Sequence, residues 1–268
     1  MKLSELSAAL SEAGIEEAAC EARLLFSAVT GCEFRDLFGC DPEADGALIA
    51  PLLERRRARE PLSYLLGETP FYRSVLKVSP DCLIPRADTE RLCELAIEKL
   101  PKGARFADLC TGSGAIAVTV LSERPDTTAL ATDISEGALA VARQNAERLG
   151  VSECLTFLCS DLLAEAPDGR FDAILSNPPY IPTADLAGLS PEVGHEPVIA
   201  LDGGEDGLLF YRRLLSLGDL LTEGGFFLFE CGYDQREDME RLSAEYGYSF
   251  VPFFDYGKNF RGGILRRT

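Results

Sequence analysis

The chain has no tryptophan, two methionines and a single histidine, His195, among its 268 residues. One histidine excludes a histidine-rich metal centre. The nine cysteines (Cys20, Cys32, Cys40, Cys82, Cys93, Cys110, Cys154, Cys159 and Cys231) include no C-x-x-C pair, which argues against a zinc cluster or a dithiol redox motif. They read as reduced thiols packed as small hydrophobes. No apolar run approaches the roughly 18 residues of a membrane span. The opening Met1-Lys2-Leu3-Ser4-Glu5 lacks the apolar core of a secretory signal, so the expected location is the cytoplasm, without membrane attachment. Basic residues are scarce. Lys and Arg number 26 against 44 Asp and Glu, a net charge of −18. A field of that sign repels phosphate backbones, so a protein or small-molecule substrate is expected rather than nucleic acid.

What remains is ordinary globular composition, 46% hydrophobic and 26% charged, long enough for one α/β domain and a small accessory domain. To about Gly67 the pattern is helical. Ala18, Ala22, Leu25, Phe26 and Val29 form a stripe within Glu16 to Val29, which Gly31 is placed to stop. A second helix begins near Asp45 and runs into Arg55-Arg56-Arg57, which reads as a solvated face. A short third, Leu62 to Leu66, follows Pro61. Phe71 to Val78 suggests a strand that pairs with the segment around Cys82-Leu83-Ile84 in a hairpin. From Pro85 onward strands and helices alternate. Helices are expected over Thr89 to Leu100, Ala115 to Glu123, Glu136 to Leu149 (capped by Ser135), Leu208 to Leu221 and Gln235 to Tyr246. Strands are expected over Arg105 to Leu109, Thr128 to Thr132, Leu155 to Leu158, Phe171 to Ser176, Phe226 to Glu230 and Gly263 to Arg266. This alternation with short connections implies a mostly parallel, doubly wound sheet.

Asp108-Leu109-Cys110-Thr111-Gly112-Ser113-Gly114 occupies a strand-to-helix turn. There glycines let backbone approach a ligand and the next helix presents free N–H groups. Asp133 ends the following strand, 21 residues after Gly112, at the place of a ribose-binding acid. The spacing Gly112-x-Gly114-x-x-Ala117 also fits a dinucleotide fingerprint. Asp108 separates the two readings: an acid there opposes a pyrophosphate but suits the ammonium and sulfonium of S-adenosyl-L-methionine. Asp161 can accept from an adenine amino group, and Leu162 can cover the ring.

Phe171 to Ser176 runs directly into Asn177-Pro178-Pro179-Tyr180. Ligands of open α/β sheets gather at the carboxyl ends of strands. The prolines stiffen the turn and remove two donors, leaving carbonyls as acceptors. A side-chain amide is a poor nucleophile because its lone pair is delocalised. Acceptors on its two hydrogens, the Asn177 side-chain oxygen and the Pro178 carbonyl, would aim the nitrogen, and the Tyr180 ring could stack on the flat group. Such a site works by orientation and preorganised acceptors, with no strong general base. Glutamine and adenine nitrogens both satisfy it.

Taken together, the chain resembles the HemK/PrmC-type methyltransferases, which modify the glutamine of the Gly-Gly-Gln motif in peptide chain release factors. The resemblance runs through Pro61-Leu62-Ser63-Tyr64-Leu65-Leu66-Gly67, Phe71-Tyr72, Leu83-Ile84-Pro85-Arg86, the glycine turn, Ser176 to Ile181, His195-Glu196-Pro197 and Ala200 to Gly207. It implies a Rossmann-like class I methyltransferase domain over 85–268, an N-terminal helical substrate-recognition domain over 1–67 and a β-hairpin linker over 68–84. It further implies S-adenosyl-L-methionine as cofactor, with release factors as protein substrates and a monomeric enzyme. By position, Cys110, Thr111, Gly112, Ser113, Gly114, Asp133, Leu162 and Asn177 would contact cofactor, and Asn177, Pro178, Pro179 and Tyr180 would hold the glutamine. Cys110 stands where the family usually has glycine, Ala87 where proline is common, and Leu162 where a larger aromatic often sits. A ribosomal-protein glutamine or an N6-adenine substrate are the alternatives. Arg86 and Glu90, at the domain junction, could gate the cleft or form a structural ion pair, and His195 reads as a loop-packing residue rather than a general base.

Overall fold

The computed structural model describes residues 1–164 and 169–268, which form two compact units. The first comprises Met1–Glu68 and Ser190–His195. Its helices are α1 (Leu3–Glu12), α2 (Ala18–Thr30), α3 (Gly46–Arg57) and α4 (Leu62–Leu66). Leu6, Leu10, Ala22, Leu25, Phe26 and Ile49 form its fully buried centre. The termini follow local chemistry: Asp45 caps α3 by accepting from the Ala47 N–H at 2.9 Å, and Gly31 and Gly67 close α2 and α4 in the left-handed conformation. The sequence reading missed α1, and it took Arg56 as solvated. Arg56 is buried, donating to Glu21 at 2.7 Å and to Glu192 at 3.2 Å. Glu192 belongs to the short return segment, which the sequence reading had placed with the catalytic domain. His195 lies in it too, with Nε2 3.0 Å from the Ala58 carbonyl oxygen.

The second unit comprises Thr69–Leu189 and Glu196–Thr268. A hairpin of β1 (Glu68–Phe71) and β2 (Ser74–Lys77) turns at Tyr72, whose φ is +54°. The Tyr72 N–H donates to Glu90 at 2.9 Å, which holds that strained residue in place. The hairpin therefore spans Glu68–Lys77, and the expected single strand over Phe71–Val78 holds its turn and second strand. Cys82–Ile84, expected to be its second strand, forms none, and Ile84 instead donates its N–H to Glu196 at 3.0 Å.

After α5 (Ala87–Lys99) come β3 (Arg105–Leu109), α6 (Ala115–Glu123), β4 (Thr128–Asp133), α7 (Glu136–Leu149), β5 (Leu155–Cys159) and β6 (Phe171–Ser176). Then follow α8 (Leu209–Leu215), β7 (Leu221–Glu230), α9 (Arg236–Glu245), β8 (Tyr248–Phe254) and β9 (Phe260–Arg267). The expected helix to Leu221 stops at Leu215, and Leu221 already begins β7. Strand β8 was not foreseen. The seven strands lie in the order β5-β4-β3-β6-β7-β9-β8. β3 to β7 run parallel, while β9 is antiparallel to both β7 and β8. Alternate residues feed opposite cores: Phe106, Leu175 and Leu228 pack with α5 and α6, and Leu109, Ile174 and Phe227 pack with α8 and α9. Burial on both faces explains the near-continuous apolar strands. Strand order reverses between β3 and β6, which puts a topological switch point at their carboxyl ends.

Candidate active site

A cleft of about 220 Å³ opens at that switch point. The turn after β3 supplies Cys110, Thr111, Gly112 and Ser113 to its lining. Asp133 comes from the end of β4, Asp161 and Leu162 follow β5, and Asn177 and Pro179 follow β6. The fold thus gathers residues spread over some seventy positions because four parallel strands end side by side.

The turn is braced from below. Asp108 is fully buried and accepts from the Thr111 hydroxyl at 2.6 Å and the Ala117 N–H at 3.1 Å. Burial pushes its carboxyl up to about 7, against those two bonds, and Oδ1 has no partner. Asp108 does not line the cleft, contrary to its expected place beside the ligand. Gly114 also lies behind the lining. It caps α6 at φ +81°, and a Cβ there would meet the Ala142 Cβ at 3.0 Å, so α6 and α7 can approach only with glycine. Cys110 holds φ +58°, a conformation that costs a non-glycine residue. Asp133 accepts from the Gly112 N–H at 2.8 Å and the Ser135 N–H at 2.9 Å, and burial nevertheless raises its carboxyl above the usual range.

The charged residues lining the cleft are Asp81, Asp133, Asp161 and Arg213. Arg213 pairs with Asp161 at 2.8 Å, so the one lining cation is partly neutralised. Among the described residues, three lining carboxylates against one paired arginine oppose an anionic pyrophosphate and suit a cation. Sequence reasoning missed Phe210 and Arg213 of α8, which line the cleft with Leu162 and carry no motif. It also missed Thr89 of α5 and Ile199, brought in only by tertiary packing.

The Asn-Pro-Pro-Tyr turn is held at several points. The Ser176 hydroxyl donates to the Leu109 carbonyl at 2.6 Å, tying the end of β6 to the end of β3. Asn177 Nδ2 donates to the Thr89 hydroxyl at 3.2 Å. The Tyr180 carbonyl accepts from Gln235 at 3.1 Å. The following loop closes against it: a Cβ on Gly203 would lie 2.7 Å from the Tyr180 backbone, and one on Gly207 2.4 Å from its carbonyl oxygen. The Asp-Gly-Gly-x-Asp-Gly segment thus needs glycines to pack on the tetrapeptide. Pro178 is buried and Tyr180 half-buried, and neither lines the cleft. The Tyr180 ring packs toward the α8–α9 core, and burial raises its hydroxyl pKa. Arg86 pairs with buried Glu196, not with Glu90.

A seven-stranded sheet of this order, with a glycine turn after its first parallel strand and an acid after the second, defines a class I methyltransferase. Residues 89–188 match the family model described as the methyltransferase small domain, and residues 2–67 match the PrmC N-terminal domain. A release factor glutamine methyltransferase of Agrobacterium fabrum is 40% identical, over 96% of this chain and 93% of its own. One from Gloeobacter violaceus is 45% identical, over 88% and 86% respectively. A ribosomal protein L11 methylase structure from Lactobacillus delbrueckii shares the fold, with a TM-score of 0.54 and 23% identity, over 75% of this chain and 90% of that one. The chain belongs to the release factor glutamine methyltransferase family and is an enzyme of that family.

Proposed function

We propose that this protein transfers a methyl group from S-adenosyl-L-methionine to the side-chain amide nitrogen of the glutamine in the Gly-Gly-Gln motif of peptide chain release factors, in the cytoplasm and as a monomer. The observation that carries this reading is the shared cleft: Asn177 and Pro179 form one wall of the cavity whose other wall is the glycine turn and Asp133.

The residues present fit the cofactor. Gly112, at φ +54° with open space around its α-carbon, leaves the turn accessible to a ligand. Each Asp133 oxygen already takes one backbone N–H and keeps a lone pair for a ribose hydroxyl. Leu162, Asp161 and Phe210 are assigned to the adenine, and Cys110, Thr111 and Ser113 to the amino-acid end. Asp108 acts from behind, holding Thr111 and the start of α6, and Gly114 acts by letting the helices approach. When bound, S-adenosyl-L-methionine supplies an electrophilic methyl on a sulfonium.

The chain's own residues then orient the acceptor. Asn177 Nδ2 is engaged by Thr89, and its side-chain oxygen is assigned the outward, accepting position. That oxygen and the Pro178 carbonyl are assigned one N–H each of the glutamine amide, which raises electron density on nitrogen and fixes its approach. Tyr180 is assigned to flank the flat amide, and Pro179 stiffens the wall. The nitrogen so aligned would receive the methyl that the bound cofactor supplies, leaving the thioether product, and its surplus proton would pass to water. Incubation with labelled cofactor and purified release factors, followed by peptide mapping, tests this. Label on the Gly-Gly-Gln glutamine is expected, and label on nucleic acid alone would refute it.

A further inference from the structure

Glu230 ends β7 with its side chain buried, and its Oε2 has no hydrogen-bond partner. No motif accounts for it. Its backbone is fixed: the Tyr211 hydroxyl, itself fully buried, donates to the Glu230 carbonyl at 2.8 Å. A carboxyl held in the core with an orphan oxygen costs several kcal/mol unless something offsets it. The Thr89 hydroxyl and the Asn177 side-chain amide both act on the carboxyl and favour its charged form, against its burial. Thr89 meanwhile accepts from Asn177 Nδ2 at 3.2 Å.

We propose that Glu230, directly and through Thr89, is the positioning residue that decides which end of the Asn177 amide faces the acceptor. The inference rests on the reading of Asn177 as a clamp for a substrate amide. The two ends of an asparagine side chain have nearly the same shape, so only the surrounding donors and acceptors choose between them. An ionised carboxylate only accepts. It therefore takes the single hydroxyl proton of Thr89, and the Thr89 lone pairs are left for an N–H. That polarity pulls Nδ2 inward and leaves Oδ1 outward. With the amide reversed, its NH2 would confront the NH2 of the substrate and transfer would lose an acceptor.

The rest of the shell suits the role. Asp88 on α5 and Arg261 on β9 act on Glu230 in opposite directions. Cys93, Cys231, Tyr180 and Tyr211, the other titratable groups around it, are kept protonated by burial, so none competes as a base.

Steady-state kinetics on a release factor, with cofactor affinity measured separately, test the chain of three. Glu230→Gln and Thr89→Val should each lower kcat by about tenfold or more while KM and cofactor Kd change less than about twofold. Thr89→Ser, which keeps the hydroxyl, should recover most of the loss. The double variant should lose less than the product of the two single losses, because both changes act on the same orientation of Asn177. A full kcat in Glu230→Gln, losses that multiply, or losses confined to KM would overturn the proposal. The three asparagines, Asn145, Asn177 and Asn259, allow a substrate-free check by selective 15N labelling. The Asn177 side-chain signals alone should move, and alike in both variants; movement of all three pairs would mean general repacking and would overturn it. If the wild type methylates no glutamine, the functional reading falls, while these signals still decide the orientation of Asn177.

Discussion

Asp133 Oδ2 accepts the backbone N–H of Gly112 at 2.8 Å, joining the end of β4 to the turn after β3. One carboxylate thus shapes the glycine turn and faces the cleft beside it. Asp133→Ala removes both functions at once. Charged hydrogen bonds contribute about 1.5–3 kcal/mol each, so cofactor affinity should fall by about 10- to 100-fold. Calorimetric titration checks this, and an unchanged Kd would dissociate Asp133 from the cofactor.

Cys110 carries a side chain at φ +58° in the same turn. Glycine is free of that penalty, so Cys110→Gly should raise thermal stability by about 1 kcal/mol. Scanning calorimetry measures it. A lower melting temperature would mean that the contacts of the thiol outweigh its backbone strain.

Asp108 and Glu230 are both pushed up to about 7 by burial, from ordinary values of 3.8 and 4.5. The folded state therefore holds protons that the unfolded chain has already lost. This stabilisation is complete below about pH 4 and is lost as pH rises through about 7. Linkage sets an upper bound of roughly 3 kcal/mol for Glu230 and about 4 kcal/mol for Asp108. Denaturant melts should show these groups favouring lower pH across pH 5 to 8, and Glu230→Gln should flatten that slope. Turnover should move the other way, rising as Glu230 ionises near pH 7, and Glu230→Gln should lose that rise. A wild-type turnover profile flat through this range would contradict the ionised form as the working one.

Arg56 is enclosed with Glu21 and Glu192 in the N-terminal unit. Removing the partner of buried charges costs about 3–5 kcal/mol when they are fully enclosed. Glu21 and Glu192 keep some solvent, so Arg56→Ala should cost about 2–3 kcal/mol. Hydrogen exchange should locate the loss in α2, α3 and Ser190–His195. Uniform exchange across both units would show that they unfold together.

Much of this architecture was legible because its causes are local. Helix α7 could be read to the residue, since Ser135 caps it and Gly150 stops it. Strands β3 and β6 stood out as apolar runs bounded by turn residues. The glycine turn, Asp133 and Asn177 could be placed because parallel strands deliver their carboxyl ends to one edge. What stayed hidden depends on distant partners. Leu217 to Leu221 has the composition of a helix, but β6 draws Leu221 into a strand. Strand β8 is defined by pairing with β9, and Pro252 weakened its signal. Arg56 looked like one of a solvated basic run because its acids lie 35 and 136 residues away. Thr89 and Glu230 gave no motif at all; only the folded sheet brings them to Asn177.

The most direct test of the account is mass spectrometry of release factor peptides after reaction with wild-type enzyme and with Asn177→Ala, each matched by a cofactor-binding measurement. The account predicts one added methyl on the Gly-Gly-Gln glutamine with the wild type. The variant should add none detectable while still binding cofactor within about tenfold of the wild type, since orientation of the amide and not cofactor capture is its main task. Wild-type-like methylation by Asn177→Ala would contradict the central claim that this side chain holds the acceptor.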